Sequence, residues 1–144
     1  MNSIVVLCEG NICRSPMAAA LLAKALPEVQ LRSAGLGALI GRPADDMAVK
    51  LMQEEGIDIR SHRAVQVTRD LSMAADVIFV MDDEQRARVE GFYPQVRGRV
   101  FRIGRFTNQD VPDPYRQPEA AFRSSLAVLK AGIAEWLPRI RQIQ

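Results

Sequence analysis

The sequence predicts an α/β fold, a single three-layer domain whose four-stranded parallel sheet has helices on both faces. Short β-branched and apolar runs alternate with helical segments along the chain, which is the order expected for parallel strands joined by crossover helices. The apolar run 76–81 is also typical of a strand buried on both faces. We expect the strand order 2-1-3-4.

The first strand, loop and helix are the most clearly marked elements. A β-branched and apolar run predicts a strand over residues 3–7, and a polar turn separates it from an Ala- and Leu-rich helix. Ser15 is the expected N-cap, and Pro16 suits the first helical position. Pro27 ends the helical segment, and alternating residues predict a second strand over 29–34.

The remaining elements continue the alternation. They are a helix over 45–55 ended by Gly56, a strand over 76–81, a helix over 83–91, a strand over 99–103 and, after the loop 104–118, a helix over 119–143. The last helix has apolar residues at helical spacing, namely Phe122, Leu126, Leu129, Ile133, Trp136 and Ile140. Pro138 is expected to bend or shorten its end.

Length and charge restrict the class of protein. The chain has 144 residues, 48% of them hydrophobic, which fits one domain over residues 1–144. Its 19 Lys and Arg against 17 Asp and Glu give a net charge of +2, too small to indicate nucleic-acid binding. No basic leader or membrane-length apolar run is present. We therefore expect a soluble, cytoplasmic monomer that neither inserts into membranes nor binds nucleic acid.

The chain has two cysteines, Cys8 and Cys13. They are too few and too close for the disulfide framework of a small secreted domain. They also lack the further Cys or His partners that a structural zinc site needs. We expect free thiols, no metal and no cofactor, so the reactivity of the thiols becomes the question.

The loop Cys8-Glu9-Gly10-Asn11-Ile12-Cys13-Arg14-Ser15 carries the clearest chemical signal. Its position between a strand and a helix N-terminus lets backbone N–H groups converge, and the helix dipole adds positive charge there. Arg14 offers a planar fork that matches two phosphate oxygens. The same environment favours a nucleophilic thiolate at Cys8. The segment is therefore predicted to bind phosphate and attack it.

Three further residues of this loop suit the same task. Gly10 and Asn11 tolerate left-handed backbone angles, which a loop needs in order to turn its amides inward. Ser15 can donate its hydroxyl to the Cys8 sulfur when phosphate departs. The alternative is that Cys8 is an ordinary buried cysteine at a strand end and that Arg14 lies on the surface. The order of strand, Gly, Asn, Ser-Pro and helix favours the catalytic interpretation.

A leaving phenolate or alkoxide needs a proton, and Asp113 is the candidate acid. It lies between Pro112 and Pro114 in a loop after the fourth predicted strand. That loop is expected at the same sheet edge as Cys8. On its own, an Asp-Pro pair is more often a plain turn.

Together, the segment from Val6 to Pro16 and Asp113-Pro114-Tyr115 resemble the low-molecular-weight protein tyrosine phosphatases. The similarity extends over nearly the whole chain and includes Ser33-Ala34-Gly35, Ser61-His62-Arg63-Ala64 and Val80-Met81-Asp82. The resemblance implies a two-step hydrolysis of phosphotyrosine in which Cys8 is the nucleophile, Arg14 holds the phosphate and Asp113 is the acid and then the base.

The resemblance also implies supporting residues. Asn11, Ser15, Ser33 and His62 would hold the loop in shape, so His62, the only histidine, would not be a general base. Cys13 would trap oxidised Cys8 as a reversible disulfide, although a small apolar filler is an equal alternative.

The walls of the expected cleft also follow from the resemblance. Tyr115 would form one wall against the substrate ring, and Leu39 would contact substrate or pack under its loop. Arg116 stands where many relatives carry a second tyrosine, which puts phosphorylation of a tyrosine pair in doubt. Ala38 and Leu39 leave a rim with less aromatic character than in eukaryotic relatives.

The stretch 33–43 is similar to bacterial members linked to capsule or exopolysaccharide production. Such members act on tyrosine-autophosphorylated kinases, which implies a bacterial tyrosine kinase as partner. The arginines 97, 99, 102 and 105 form either a basic face toward an acidic partner segment or ordinary solvated edges.

Two other functions share this loop. A thiol-dependent arsenate reductase of the relay type needs further cysteines, and none follows Cys13. A non-catalytic phosphotyrosine-binding module would be expected to lack the nucleophile or the acid, whereas this chain has Cys8, Arg14 and Asp113.

Overall fold

A computed structural model describes residues 1–143 and shows an α/β fold of three layers. Its helices and strands, in chain order, are β1 (Ser3–Cys8), α1 (Arg14–Ala25), β2 (Gln30–Gly35), α2 (Asp46–Glu54), α3 (Arg69–Ala74), β3 (Val77–Val80), α4 (Asp83–Phe92), β4 (Val100–Arg102) and α5 (Glu119–Ile143). A short 3₁₀ turn, Pro94–Val96, precedes β4.

The four strands form one parallel sheet in the order β2-β1-β3-β4, as predicted. Successive residues of β1 enter two different hydrophobic clusters, as the period-two geometry of a strand requires. Ile4 and Val6 join a cluster with residues of α1, α2 and α5, while Val5 and Leu7 join one with residues of α4 and β4. Both faces of the sheet are therefore covered.

The long helix α5 closes the first of these faces. All six residues predicted to line it are buried, namely Phe122, Leu126, Leu129, Ile133, Trp136 and Ile140. Gly132 lies against the end of β4, since a Cβ atom there would be 2.7 Å from the carbonyl oxygen of Ile103. Pro138 does not shorten the helix, which continues to Ile143.

Two local predictions were incomplete or wrong. Ser15 is not the N-cap of α1: the helix begins at Arg14, Cys13 is the cap residue, and no side chain caps the helix. The Ser15 hydroxyl instead contacts the Cys8 sulfur. Helix α3 was not predicted, although the side chain of Thr68 caps it by accepting from Leu71 N.

Candidate active site

The loop between β1 and α1 lies where the strand order reverses direction, because β2 and β3 flank β1 on opposite sides. Open parallel sheets bind ligands at this position, outside the carboxyl ends of the strands. Cys8 is the last residue of β1, and Arg14 is the first of α1. The fold therefore places the predicted nucleophile at the end of the strand and the predicted phosphate clamp at the start of the helix, at the two ends of one loop.

Hydrogen bonds fix the direction of the Ser15 hydroxyl. Asn11 Nδ2 donates to Ser15 Oγ at 2.8 Å, and Ser15 Oγ lies 2.9 Å from Cys8 Sγ. The amide nitrogen can only donate, so Ser15 Oγ accepts this hydrogen bond. The hydroxyl proton of Ser15 therefore remains free to point at the sulfur. A hydroxyl donating to Sγ stabilises its negatively charged form.

Asn11 is the central residue of the loop. Its side chain is fully buried and also donates to Ser33 Oγ at 3.0 Å, while its Oδ1 accepts from Val65 N at 2.9 Å. Its φ is 59°, in the left-handed region that asparagine tolerates better than most residues. His62 Nε2 lies 2.6 Å from the Asn11 carbonyl oxygen. A carbonyl only accepts, so Nε2 is the donor.

The structure therefore brings together all four residues expected to support the loop. Asn11 contacts Ser15, Ser33 and His62 directly. The partner at Val65 was not predicted from the sequence. It contributes a backbone N–H, so no side-chain type marks it, and 54 residues separate it from Asn11.

Arg14 is buried, and its guanidinium contacts two residues of the loop after β4. Its Nη1 donates to the carbonyl oxygen of Val111 at 2.9 Å, and its Nη2 lies 3.5 Å from Asp113 Oδ2. The Asp113 side chain is 49% exposed, and its Oδ1 accepts from Tyr115 N at 3.1 Å. The guanidinium is thus positioned by a backbone carbonyl while the carboxylate remains accessible to solvent.

These residues surround a cleft of about 120 Å³ whose lining includes the predicted cleft-wall residues Leu39 and Tyr115. The other lining residues are Cys8, Glu9, Gly10, Ile12, Cys13, Arg14, Gly37 and Asp113. Arg116 lies over the Tyr115 ring, 5.1 Å from its centroid. The lining of a larger groove, of about 880 Å³, includes Ser33 and His62 but none of Cys8, Arg14 and Asp113. Those three residues all line the smaller cleft.

The second cysteine of the loop, Cys13, lies in surroundings that disfavour its thiolate. Both thiols are free and buried. Burial raises the pKa of the Cys13 thiol far above its ordinary value, and the nearby Asp45 carboxylate raises it further. Cys13 is therefore a neutral thiol at neutral pH.

Comparison with known proteins agrees with this geometry. The family model described as low molecular weight phosphotyrosine protein phosphatase matches residues 3–144. The chain belongs to this family. It is 48% identical over 143 residues to a Ralstonia solanacearum protein named "Probable low molecular weight protein-tyrosine-phosphatase EpsP", covering 99% of each chain. The predicted family, its bacterial branch and the enzyme class are thereby confirmed.

Solved structures of other bacterial members share the fold. Vibrio vulnificus Wzb in complex with benzylphosphonate matches with a TM-score of 0.92 and 36% identity, over 96% of this chain and 98% of that one. The YwlE arginine phosphatase from Geobacillus stearothermophilus also matches with a TM-score of 0.92, at 30% identity over 100% of this chain and 96% of its own. The fold is thus shared by a protein that binds benzylphosphonate and by an arginine phosphatase.

No helix within residues 1–143 is both long enough and apolar enough to cross a membrane.

Proposed function

We propose that this phosphatase hydrolyses phosphotyrosine in two steps through a phosphocysteine at Cys8. One observation carries the proposal, which is that three groups converge on one small cleft. They are the Cys8 sulfur, which accepts from Ser15, the buried guanidinium of Arg14 and the accessible carboxylate of Asp113. These are a nucleophile, an anion clamp and a proton donor, and the proposed reaction requires no other group.

In the first step, the Cys8 thiolate attacks phosphorus, and the bond from phosphorus to the tyrosyl oxygen breaks. Arg14 binds two phosphate oxygens and holds them as the phosphoryl group flattens. The leaving oxygen takes the proton of the Asp113 carboxylic acid and departs as neutral tyrosine. The ion pair at 3.5 Å between Arg14 and Asp113 must open for this, because phosphate takes the place of the carboxylate on the guanidinium.

In the second step, Asp113 acts as a base. Its carboxylate removes a proton from a water molecule, the water oxygen attacks phosphorus, and the bond from phosphorus to sulfur breaks. Cys8 leaves as a thiolate, which Ser15 stabilises through the 2.9 Å contact. Asp113 ends the cycle protonated and ready for another substrate, and inorganic phosphate is released.

The cleft favours an aromatic phosphate ester. Ile12, Leu39 and Tyr115 give it apolar walls on which a phenyl ring can pack. A phosphoserine side chain is too short to use those walls. A phosphoarginine would place a polar guanidine against these apolar walls, which costs desolvation. Phosphotyrosine is therefore the proposed substrate class.

The relatives support a proposal about the cellular role. We propose that the single domain over residues 1–144 acts as a cytoplasmic monomer on a tyrosine-phosphorylated protein, specifically a bacterial tyrosine autokinase that controls exopolysaccharide production. The 48% identity to EpsP supports this assignment.

We also propose that Cys13 forms a disulfide with oxidised Cys8. The neutral state of its buried thiol makes that reaction slow.

The test is hydrolysis of three matched peptides, carrying phosphotyrosine, phosphoserine or phosphoarginine at the same position, in excess chelator. Cys8→Ser serves as the inactive control. The proposal predicts Cys8-dependent release of phosphate from the phosphotyrosyl peptide at a much higher kcat/KM than from the other two. A preference for phosphoarginine would reassign the substrate. Binding without turnover would favour a binding module, and turnover of arsenate alone would favour a reductase.

A further inference from the structure

Glu9 places a negative charge in the loop that is proposed to bind phosphate. Among residues 8–15 it is the only carboxylate, and Arg14 is the only cation. Its side chain is 47% exposed and lines the same cleft as Cys8. A carboxylate directly after the nucleophile would repel an arriving phosphate dianion unless a nearby cation neutralised the charge of Glu9.

Arg88, on helix α4, neutralises this carboxylate. Its Nη1 lies 2.8 Å from Glu9 Oε2 and its Nη2 lies 3.5 Å from Oε1, which is close to a two-point contact. The hydrogen bond to Glu9 is the main reason that the pKa of Arg88 is raised. Glu84, one turn earlier on the helix, also lies 3.4 Å from Arg88 Nη1.

The loop after β2 restricts Glu9 from the other side. The Glu9 carbonyl oxygen accepts from Gly37 N at 2.9 Å. A Cβ atom on Gly37 would lie 3.1 Å from Glu9 Oε1, closer than most side chains allow. The absence of a side chain at Gly37 therefore leaves space for the carboxylate, and Arg88 holds it there.

We propose that Arg88 is a positioning residue for phosphate binding, which pairs with Glu9 and removes its repulsion from the phosphate site. This inference rests on the proposed phosphatase activity. Arg88 acts through Glu9: its side chain bonds to Glu9 and Glu84, and it does not line the cleft that Cys8, Arg14 and Asp113 share. The pair connects the phosphate-binding loop to helix α4, 79 residues later in the chain.

The proposal predicts a specific kinetic pattern. The substrate and the transition state carry similar negative charge, so an unpaired Glu9 repels both to a similar extent. Removal of Arg88 should therefore raise KM and leave kcat nearly unchanged. Because both side chains are partly exposed, we expect an increase on the order of fivefold at low ionic strength. Salt should reduce the increase, since the Debye length falls from roughly 10 Å at 0.1 M to about 3 Å at 1 M.

The experiment compares Arg88→Ala with Arg86→Ala, using a small aryl phosphate as substrate. Arg86 is a matched control because it lies on the same helix and forms an ion pair with Glu90 at 3.1 Å, outside the cleft lining. Inorganic phosphate is titrated as a competitive inhibitor of each variant. We expect R88A to show a higher KM and a weaker affinity for phosphate, with both differences shrinking at high salt, while R86A behaves like the unmodified protein.

A double-mutant cycle separates an action through Glu9 from direct contact with substrate. The proposal predicts that Arg88→Ala changes KM less than about twofold when it is introduced into Glu9→Gln. The carboxylate that Arg88 neutralises in the cleft is then gone, and Glu84, the other partner of Arg88, lies outside the cleft lining. An undiminished KM increase in that background would overturn it. An R88A protein that matches R86A at low salt would also overturn it.

Two controls keep the outcomes distinct. Arg88→Gln repeats the measurement with a longer side chain, so that a folding defect of R88A, seen by circular dichroism, does not decide the result. Failure of the proposed phosphatase activity would appear differently, as absence of turnover in the unmodified protein and in R86A.

Discussion

Asn11→Ala tests whether one buried side chain holds the phosphate-binding loop. The substitution removes three hydrogen bonds, to Ser15 Oγ, to Ser33 Oγ and from Val65 N. At about 1 kcal/mol each, their loss lowers the free energy of unfolding by about 3 kcal/mol. Alanine at a φ of 59° adds about 1 kcal/mol of backbone strain. The expected total is about 4 kcal/mol, a large part of the stability of a small domain.

Urea denaturation of Asn11→Ala and the unmodified protein measures this loss. Ser33→Ala is the matched control: it removes only one of the three hydrogen bonds and should cost about 1 kcal/mol. Because the loop amides lose their arrangement, kcat/KM of N11A should fall by about 100-fold. Inorganic phosphate should raise the urea midpoint of the unmodified protein but not that of N11A. A stability loss below about 1 kcal/mol together with unchanged kcat/KM would refute this role of Asn11.

Three further predictions concern proton transfer, oxidation and acid stability. Asp113→Asn should lower kcat/KM much more for aryl phosphates with poor leaving groups than for those with good ones, and equal losses across the series would remove Asp113 from the acid role. After peroxide treatment, Cys13→Ser should recover less of its own initial activity on adding a thiol reductant than the unmodified protein recovers, because Cys8 then lacks a disulfide partner. Equal recovery would leave Cys13 as a packing residue. Asp76 has a lowered pKa because its carboxylate accepts from backbone amides at the start of β1, so it contributes stability above its unfolded pKa of about 3.9 that is lost as pH falls through the lower folded value. Acid unfolding curves of Asp76→Asn should therefore lose less stability below about pH 4.

Local sequence patterns were sufficient for most of the fold. The apolar run 76–81 predicted β3, which the structure places at Val77–Val80. Helix α3 escaped because its six residues, Arg69–Ala74, are too few to show an amphipathic period. The 3₁₀ turn Pro94–Val96 is shorter still. Short elements of this kind are determined by their packing more than by their own residues.

The site was predictable only in part, for a related reason. Cys8 and Arg14 are close in sequence, so the loop between them signals its chemistry by itself. Ser15 has the residue type of an N-cap, but the cost of leaving the amide of Asn11 unpaired assigns its hydroxyl to the loop instead. The contact between Glu9 and Arg88 joins residues 79 positions apart. No local sequence pattern indicates such a pair. The contact is recognised only once the structure shows where helix α4 lies relative to the loop.

The proposed mechanism depends on a phosphocysteine at Cys8, and trapping this intermediate is the most direct measurement. Asp113→Asn, mixed with an aryl phosphate that has a good leaving group and quenched in acid within milliseconds, should accumulate the intermediate because the base for its hydrolysis is missing. We predict a burst of phenol equal to the enzyme concentration, and a peptide containing Cys8 that carries one phosphoryl group in the mass spectrum. Phenol release with no burst and an unmodified Cys8 would contradict the account.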